Sequence, residues 1–367
     1  MIKNLTIQGF RGIKEGHISF SPITILLGSN NSGKSTILEA LFLAPNPCRP
    51  VPYCVPQGET FPSSAVVTVY FLHKTLDYAG YAFLLHNYTS KNAEIKIETG
   101  NSNDNLQEMQ DKAETLAVNT NEHFIRFLKK DQYIYLQSSS QKSIVTEIEV
   151  NGTKVPVYCQ LHDSGLGFNC VQSDAFTEDT LLLSPKLSLA GYEYLRRKWP
   201  EIVNSGISRR VAKDASELSW EHYMDFTMEP MIGGQLDLYA YLEDGRRIRL
   251  GDLGEGMQSY VLSRILCELR KPEVILWDDI ESHLNPRMLS HIADWFGELV
   301  REKKQVVIST HSLEATKVIA GINEKDSKIC ITTIRNSVLK TKSLTLTEVE
   351  KLQESGIDAR VAEGLML

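Results

Sequence analysis

The sequence predicts an α/β protein with a mixed β-sheet, and three observations lead to this prediction. Short apolar runs that end in polar loops occur near both ends of the chain, at residues 23–27, 274–277 and 305–310. Segments rich in β-branched residues recur between about 66 and 161, and a helical stretch follows from about 178 to 225. We therefore expect a mixed sheet, an antiparallel β layer and a helical subdomain.

The composition is that of an ordinary globular protein. The chain has 367 residues, of which 42% are hydrophobic and 23% charged, and its formal net charge is −7. Because this length exceeds one typical domain, we expect an N-terminal lobe at 1–165, a helical insert at 166–235 and a C-terminal lobe at 236–367. The negative net charge argues against a protein that coats a polyanion along its whole surface.

No targeting or membrane segment is predicted. No apolar run approaches the roughly 18 residues of a membrane span, and the N-terminus alternates like a strand instead of forming a continuous apolar signal. We therefore expect a cytoplasmic protein without membrane association. The six cysteines lack paired CxxC spacing, and we interpret them as free thiols.

Two strands followed by a strand–loop–helix unit are predicted at the N-terminus. Leu5 and Ile7 alternate with polar neighbours, as do Ile18 and Phe20, and the apolar strand at 23–27 comes next. Prolines between residues 45 and 56 exclude helix and the interior of a sheet. The first helix is therefore expected to end near Phe42, and the proline-rich residues after it are expected to form an extended loop.

The middle of the chain is predicted to be rich in strands. Its β-prone runs are VVTVYFL, IKIE, YIYLQ and TEIEV, with polar loops between them. Asn151-Gly152 supplies the positive φ angles of a two-residue hairpin turn, and Asp244-Gly245 predicts a second hairpin.

A phosphate-binding loop is predicted between the strand at 23–27 and the following helix. Residues 28–35 fit the pattern GxxxxGK[ST], whose glycines let backbone N–H groups turn toward a phosphate at a helix N-terminus. Lys34 would reach the β- and γ-phosphate oxygens, and Ser35 would hold Mg²⁺. The alternative is a glycine-rich turn that binds nothing. The residues predicted to contact ATP in this segment are Gly28, Asn30, Asn31, Ser32, Gly33, Lys34, Ser35 and Thr36.

Two further strands are predicted to end beside this loop. Asp278 follows the strand at 274–277, where ligands bind in open α/β sheets, and would orient Mg²⁺. Asp279 would point toward the γ-phosphate and polarise an attacking water. His311 follows the strand at 305–310 and would sense the γ-phosphate. The alternatives are a solvated acidic turn for the two aspartates and a structural role for the histidine.

Five segments carry a resemblance to a known group of proteins. They are FRGI at 10–13, GSNNSGKST at 28–36, LGEGMQ at 253–258, DDIESHLNP at 278–286 and STHS at 309–312. In this order they resemble the ABC-type ATPases of the RecF/SMC group, and most closely small ATPases similar to the OLD family. The final segment SLTLTEVEKLQESGIDAR, at 343–360, also looks like the closing segment of those ATPases. The resemblance covers both ends of the chain well and the middle poorly.

The resemblance implies a P-loop NTPase fold with an ABC-ATPase-like sheet and a site shared by two protomers. ATP would lie between the P-loop of one protomer and the segment around Gly254 and Gly256 of another. The apolar stripe of the helix that begins there would leave its N-terminus free to meet a phosphate. The resemblance also implies that Arg11 approaches the nucleotide, although the pattern fits a surface arginine in a turn equally well.

This sequence departs from the pattern of the group at several positions. Gly254 stands where a serine is usual, and Glu255 adds a negative charge near the expected phosphate. Asp279 replaces the expected catalytic glutamate and is one methylene shorter, so hydrolysis is expected to be slow. Ile280 replaces a proline, and Asn285 stands where these proteins often carry histidine.

The favoured hypothesis is an ATPase head that forms a homodimer on Mg-ATP and drives a protein partner, such as a nuclease or an effector, in DNA repair or anti-phage defence. The alternatives are a slow regulatory switch without a DNA role and the nucleotide-binding subunit of a transporter; a GTPase is less favoured because no NKxD-type segment occurs. We expect no Toprim nuclease domain and no long coiled-coil arms. Basic clusters at 196–198 and 209–213 could contact nucleic acid, but solvated helix faces are the simpler interpretation.

Overall fold

A mixed twelve-stranded sheet organises the part of the chain that the structure describes. The structure is a computed structural model, and it describes residues 1–44, 49–55, 62–73, 84–88, 90, 92–99, 132–140, 143–150, 153–157, 159–160, 169–170, 180–231 and 236–360. The described strands are, in chain order, β1 (Ile2–Phe10), β2 (Ile13–Ser19), β3 (Ile23–Leu27), β4 (Asn92–Thr99), β5 (Gln132–Ser140), β6 (Ser143–Val150), β7 (Thr153–Val157), β8 (Cys159–Gln160), β9 (Asn169–Cys170), β10 (Thr180–Leu183), β11 (Tyr223–Pro230), β12 (Leu236–Leu242), β13 (Arg247–Arg249), β14 (Val274–Trp277), β15 (Gln305–Thr310), β16 (Ser327–Arg335) and β17 (Val338–Leu344).

The large sheet has a parallel and an antiparallel part. Its strand order is β10-β14-β15-β3-β16-β17-β2-β1-β4-β5-β6-β7. Neighbours from β10 to β16 run parallel, whereas β2, β1 and β4 to β7 pair antiparallel. Strands β11 to β13 form a separate three-stranded sheet, and β8 pairs with β9. The mixed sheet and its antiparallel layer are thus confirmed.

The helices cover the parallel part of the sheet. They are α1 (Lys34–Leu43), α2 (Ala65–His73), α3 (Pro185–Asn204), α4 (Ile207–Ser216), α5 (Glu255–Arg270), α6 (Pro286–Arg301), α7 (Leu313–Ile322) and α8 (Leu346–Glu354). Helices α3 and α4 pack on α5, and α6 packs on α7. All residues of β3, β14 and β15 are buried, as expected for parallel strands with both faces covered.

The register of the parallel strands positions the site. Leu27 of β3 lies beside Thr310 of β15, and Trp277 of β14 lies beside Ile308. The carboxyl ends of these three strands therefore meet at one edge of the sheet, and the loops that follow them converge there.

The prediction of a strand at VVTVYFL is wrong, because this run lies in α2. Its β-branched residues favour a strand, but Ser64 precedes them, and its carbonyl accepts hydrogen bonds from the Thr68 N–H and hydroxyl at 2.8 and 2.9 Å. Residues 65–69 are all buried, and α2 packs against α1. Tertiary burial and a local turn thus override the intrinsic preference.

The predicted helical stretch and hairpins agree with the structure apart from one missed strand. Helices α3 and α4 occupy most of the stretch from about 178 to 225, but it begins with β10. Strands β6 and β7 form the first hairpin, although Asn151 and Gly152 themselves lie outside the described residues. The second hairpin turns at Gly245, whose φ is 84°, and joins β12 to β13.

Residues of the proline-rich segment cover one end of the sheet. Pro45, Pro47 and Pro56 lie outside the described residues, but 49–55 are described. The buried Tyr53 hydroxyl accepts a hydrogen bond from the Leu182 N–H on β10, the terminal strand of the sheet, at 3.1 Å. The described helices do not combine the length and apolarity that a membrane crossing requires.

Candidate nucleotide-binding site

The loop between β3 and α1 is shaped by two glycines. A Cβ at Gly28 would lie 2.6 Å from the Thr332 carbonyl oxygen, so the close approach of β16 excludes larger residues. Gly33 has a φ of 93°, which residues with a Cβ rarely adopt. Asn31 also has a positive φ, and it lies with Asn30 at the exposed tip of the loop. The turn thus wraps its backbone around the N-terminus of α1.

Lys34 lies at the centre of this loop. Its side chain is buried, with the residue 5% exposed, and its Nζ donates to the carbonyl oxygens of Gly28 and Ser29 at 2.9 Å each. The same Nζ lies 3.4 Å from Ser32 Oγ and 3.4 Å from His311 Nδ1. The ammonium therefore joins the loop to the end of β15, in the position expected of a phosphate-binding lysine.

A hydroxyl and a carboxylate form the predicted magnesium corner. Ser35 Oγ donates to Asp278 Oδ1 at 3.1 Å, and Ser309 Oγ donates to the same oxygen at 2.5 Å. Mg²⁺ is usually held by one or two carboxylates together with substrate phosphates, and this donor set fits that pattern. Among the described residues, no group of three or more His, Cys, Asp or Glu is placed to hold a metal ion.

Asp279 is held in an unusual backbone conformation beside this corner. Its φ is 51°, a value that aspartate tolerates better than most residues, and its N–H donates to Ser309 Oγ at 2.9 Å. Its Oδ1 lies 3.7 Å from His311 Nε2. Burial, together with the negative charges of Asp278 and Glu281, raises the pKa of Asp279 above its ordinary value.

The main chain of His311 is bonded on both sides. Its N–H donates to Glu281 Oε1 at 2.5 Å, and its carbonyl oxygen accepts from Arg360 Nη1 at 3.0 Å. Glu281, Ser309 and Arg360 were not predicted as site residues. All three lie within segments that carry the resemblance, namely DDIESHLNP, STHS and the closing segment SLTLTEVEKLQESGIDAR, but the patterns alone do not indicate the contacts that these side chains make.

Arg11 lies in a partly buried cluster of polar side chains. Its guanidinium bonds to Glu39 and lies 3.3 Å from His73 Nδ1, while His73 Nε2 lies 2.5 Å from Glu39 Oε1. Burial lowers the pKa of His73 to about 4 and that of Arg11 to about 10. A neutral His73 that donates from Nε2 to Glu39 and accepts at Nδ1 from Arg11 satisfies all three groups.

The two glycines at the start of α5, Gly254 and Gly256, lie in different surroundings: the first is exposed and the second is tightly packed. Gly254 is exposed, and a Cβ there would meet no atom within 4 Å. A Cβ at Gly256 would lie 2.3 Å from the His283 carbonyl oxygen, so α5 packs tightly on the loop that follows Asp279. Glu255 Oε2 lies 2.7 Å from His283 Nδ1 at the surface.

The remaining predicted positions have local structural explanations. Thr36 is buried in the first turn of α1. Ile280 is 1% exposed and belongs to the core. The Asn285 side chain caps α6 by accepting from the Met288 N–H at 2.9 Å, a role for which asparagine is well suited. These contacts explain why two departures from the resembling group are compatible with the fold.

Acidic side chains neutralise the basic clusters. Arg196 and Arg197 bond to Glu193, and Lys198 bonds to Glu201 on the same helix. In the second cluster, Arg209 bonds to Asp225 and Arg210 to Glu268. These pairs are those of solvated helix faces. The described free thiols are Cys54, Cys267 and Cys330, as predicted for these positions.

Two sequence families match parts of the chain. Residues 1–156 match the family described as "AAA ATPase domain". Residues 237–316 match a family of AAA domains whose description names an AbiEii toxin and a Type IV TA system. The first match includes the P-loop, and the second includes Gly254, Asp278 and His311.

Solved structures of SMC head domains have a similar fold. An SMC head bound to the C-winged helix domain of ScpA has a TM-score of 0.56 and 16% identity, over 95% of this chain and 99% of that chain. An SMC head from Pyrococcus furiosus, bound to the C-terminal domain of ScpA, has a TM-score of 0.54 and 15% identity, over 96% of this chain and 98% of that chain. An SMC head from Pyrococcus yayanosii has a TM-score of 0.54 and 11% identity, over 97% and 99% of the two chains.

The curated proteins contain no match to this chain. The two family matches support an ATPase domain of the AAA type, and the solved structures show that the fold is like that of SMC heads. The finer resemblance to OLD-like ATPases stays a prediction.

Proposed function

We propose that this chain binds Mg-ATP, hydrolyses it slowly and forms a homodimer while ATP is bound. The convergence of Lys34, Asp278, Asp279 and His311 at the carboxyl ends of three parallel strands carries this proposal. These groups supply a phosphate-binding cation, a metal-binding carboxylate, a base and a switch histidine within one small region. The division into lobes at 1–165 and 236–367 with an insert at 166–235 is part of the proposal.

Each residue has a defined task in this mechanism. Lys34 and the backbone N–H groups of the loop neutralise the β- and γ-phosphates. Ser35 and Asp278 would hold Mg²⁺, which would offset charge on the phosphate oxygens. Asp279 accepts the proton of the attacking water, and His311 holds the γ-phosphate in line for that attack. Thr36, Asn30, Asn31 and Ser32 complete the loop.

One feature favours slow turnover. The Asp279 side chain is one methylene shorter than the glutamate of similar ATPases, so its carboxylate reaches the attacking water less directly. Burial and the charges of Asp278 and Glu281 raise the pKa of Asp279, which makes its ionised form a stronger base and does not slow this step. Slow hydrolysis would prolong the ATP-bound state. This suits a protein that acts through an ATP-dependent homodimer.

The exposed N-terminus of α5 supports completion of the site by a second protomer. Gly254 has no side chain, and no side-chain cap satisfies the first N–H groups of this helix. A helix N-terminus of this kind binds phosphate well, so Gly254 and Gly256 would contact the nucleotide of the partner. Arg11 would approach its own nucleotide once its contacts with Glu39 and His73 are exchanged.

The proposal extends to the kind of partner and cellular process that this ATPase serves. SMC heads of similar fold bind ScpA, and one matched family is described with a toxin of a Type IV TA system. A protein partner, such as a nuclease or effector in DNA repair or anti-phage defence, agrees with both. A regulatory switch without a DNA role is the second candidate, and the short side chain of Asp279 favours it.

The solution mass of the Asp279→Asn protein tests the dimer. We expect a shift from monomer to dimer on addition of Mg-ATP, measured by light scattering, because the variant binds ATP without cleaving it. Lys34→Ala is the matched control and should stay monomeric. An unchanged mass despite demonstrated ATP binding would contradict the ATP-dependent dimer.

A further inference from the structure

Beyond the expected nucleotide contacts, one side chain near the C-terminus of the described chain bonds to the switch histidine. Arg360 Nη1 donates to the His311 carbonyl oxygen at 3.0 Å, across 49 positions of the sequence. Glu281 Oε1 accepts from the His311 N–H at 2.5 Å. Both ends of the same residue are thus bonded to charged side chains from two different segments.

The Arg360 guanidinium is itself held in place. Its Nε donates to both carboxylate oxygens of Asp358 at 2.9 and 3.1 Å, and its Nη2 donates to Asp358 Oδ2 at 2.6 Å. This ion pair holds the pKa of Asp358 below its usual range. Ala359 between them is 1% exposed, so the segment is anchored in the core.

The imidazole of His311 lies where small rotations matter. Its Nδ1 is 3.4 Å from Lys34 Nζ, and its Nε2 is 3.7 Å from Asp279 Oδ1. Because the peptide groups on both sides of the Cα are held, the direction of the Cα–Cβ bond, from which the imidazole extends, is held with them. Reactive groups misplaced by about 1 Å can lose much of their effect on rate.

We infer that Arg360 and Glu281 are positioning residues for hydrolysis, and that the segment after α8 sets the activity of the switch histidine. The inference rests on the proposed ATPase function. Glu281 acts through the His311 N–H, and Arg360 acts through the His311 carbonyl. A partner that draws Arg360 away would slow turnover without touching the nucleotide.

Steady-state kinetics of Arg360→Ala test the inference. We expect kcat to fall roughly 5- to 20-fold with KM for Mg-ATP changed by less than about twofold, because the nucleotide contacts stay intact. The melting temperature should change little, since partly exposed ion pairs contribute little to stability. Arg360→Lys should recover part of kcat because it keeps one cationic donor.

The decisive comparison is a double-mutant cycle with His311→Ala. If Arg360 acts through His311, adding Arg360→Ala to His311→Ala should lower kcat no further. An equal loss in both backgrounds would overturn the inference. Arg196→Ala is the matched control, because Arg196 also forms two bonds to a nearby carboxylate but lies on α3.

Glu281 is tested by a pair of substitutions. Glu281→Gln keeps an acceptor oxygen for the His311 N–H, whereas Glu281→Ala removes it, so kcat should be at least about fivefold lower in the alanine protein. Equal kcat values for the two would overturn the positioning role of Glu281.

Hydrogen–deuterium exchange separates failure of the inference from failure of the proposed function. The peptide that contains His311 should exchange faster in Glu281→Ala than in the unaltered chain, because this substitution frees the His311 N–H and a bonded N–H is protected. Unchanged exchange would overturn the positioning role of Glu281 even if turnover is normal. Absence of turnover in the unaltered chain would contradict the proposed function, and exchange would still decide whether Glu281 holds His311.

Discussion

The P-loop and the N-terminus of α5 are both predicted phosphate sites, yet they are built differently. Around the P-loop, Lys34, Ser35, Asp278 and His311 are joined by contacts of 3.1 to 3.4 Å within one chain. At α5, Gly254 is exposed and Glu255 bonds to His283 at the surface. The first site is preorganised by its own chain, and the second presents backbone groups outward.

The difference between the P-loop and the N-terminus of α5 indicates which step of the proposed mechanism each region can support. A preorganised pocket can bind a nucleotide alone, because little has to move when the phosphate arrives. An exposed helix N-terminus offers only its backbone N–H groups and gains affinity when another surface completes it. In the proposed function, the P-loop therefore serves nucleotide binding within one chain, and the N-terminus of α5 serves the assembly of two chains.

Replacing Lys34 by alanine should give the largest effect on turnover and ATP affinity, because it removes the preorganised cation of the P-loop. The only buried ammonium described in the loop would be lost, so we expect turnover to fall roughly 100-fold or more and ATP affinity to weaken strongly. Fluorescent nucleotide binding and phosphate release measure both. Lys198→Ala, which removes an exposed lysine on α3, is the control. ATP affinity unchanged in Lys34→Ala would show that the preorganised region is not the binding site.

Gly254→Ala and Gly256→Ala form a matched pair that sharpens the comparison at α5. Gly256→Ala places a Cβ against the His283 carbonyl, so we expect a loss of about 1–3 kcal/mol of stability from overpacking. Gly254→Ala meets nothing in the chain and should keep the melting temperature but weaken the ATP-dependent dimer severalfold. Calorimetry and light scattering provide the readouts. A Gly254→Ala protein with unaltered dimerisation would contradict the role of this helix end in assembly.

The smallest expected effect is a shift in pH dependence. Because the folded-state pKa of Asp279 is raised, its proton is lost at higher pH than in the unfolded chain, and turnover should fall as pH drops through that raised value. Above it, the ionised carboxylate slightly destabilises the fold. Asp279→Asn should therefore raise the melting temperature at neutral pH by on the order of 1 °C and by less in acid. A melting temperature lower than that of the unaltered chain at neutral pH would contradict this sign.

Much of the parallel part of the sheet could be predicted from sequence. The strand at 274–277 and its following aspartate were identified because a short apolar run ends abruptly in charge. The loop at 28–33 was identified because its glycine spacing reflects a backbone constraint that no other residue satisfies. These signals are local, so they survive without knowledge of the fold.

The contacts that were missed are those between distant segments. Arg360 bonds to His311 and Ser309 bonds to Asp278, and both pairs are brought together only by the sheet. The helix at 65–73 was missed because packing on α1 outweighs the strand preference of its valines. The local sequence pattern indicates secondary-structure propensity and backbone constraints. The missed contacts depend instead on which segments the fold brings together.

The hydroxyl of Tyr53 has a consequence for how copies of this chain can associate. Terminal strands of open sheets recruit strands from other molecules through unpaired N–H groups, and this leads to aggregation. At β10 the Leu182 N–H is already occupied by Tyr53. Tyr53→Phe would expose that donor. We then expect slow aggregation through the edge strands during storage, and this aggregation would compete with the proposed ATP-dependent dimer.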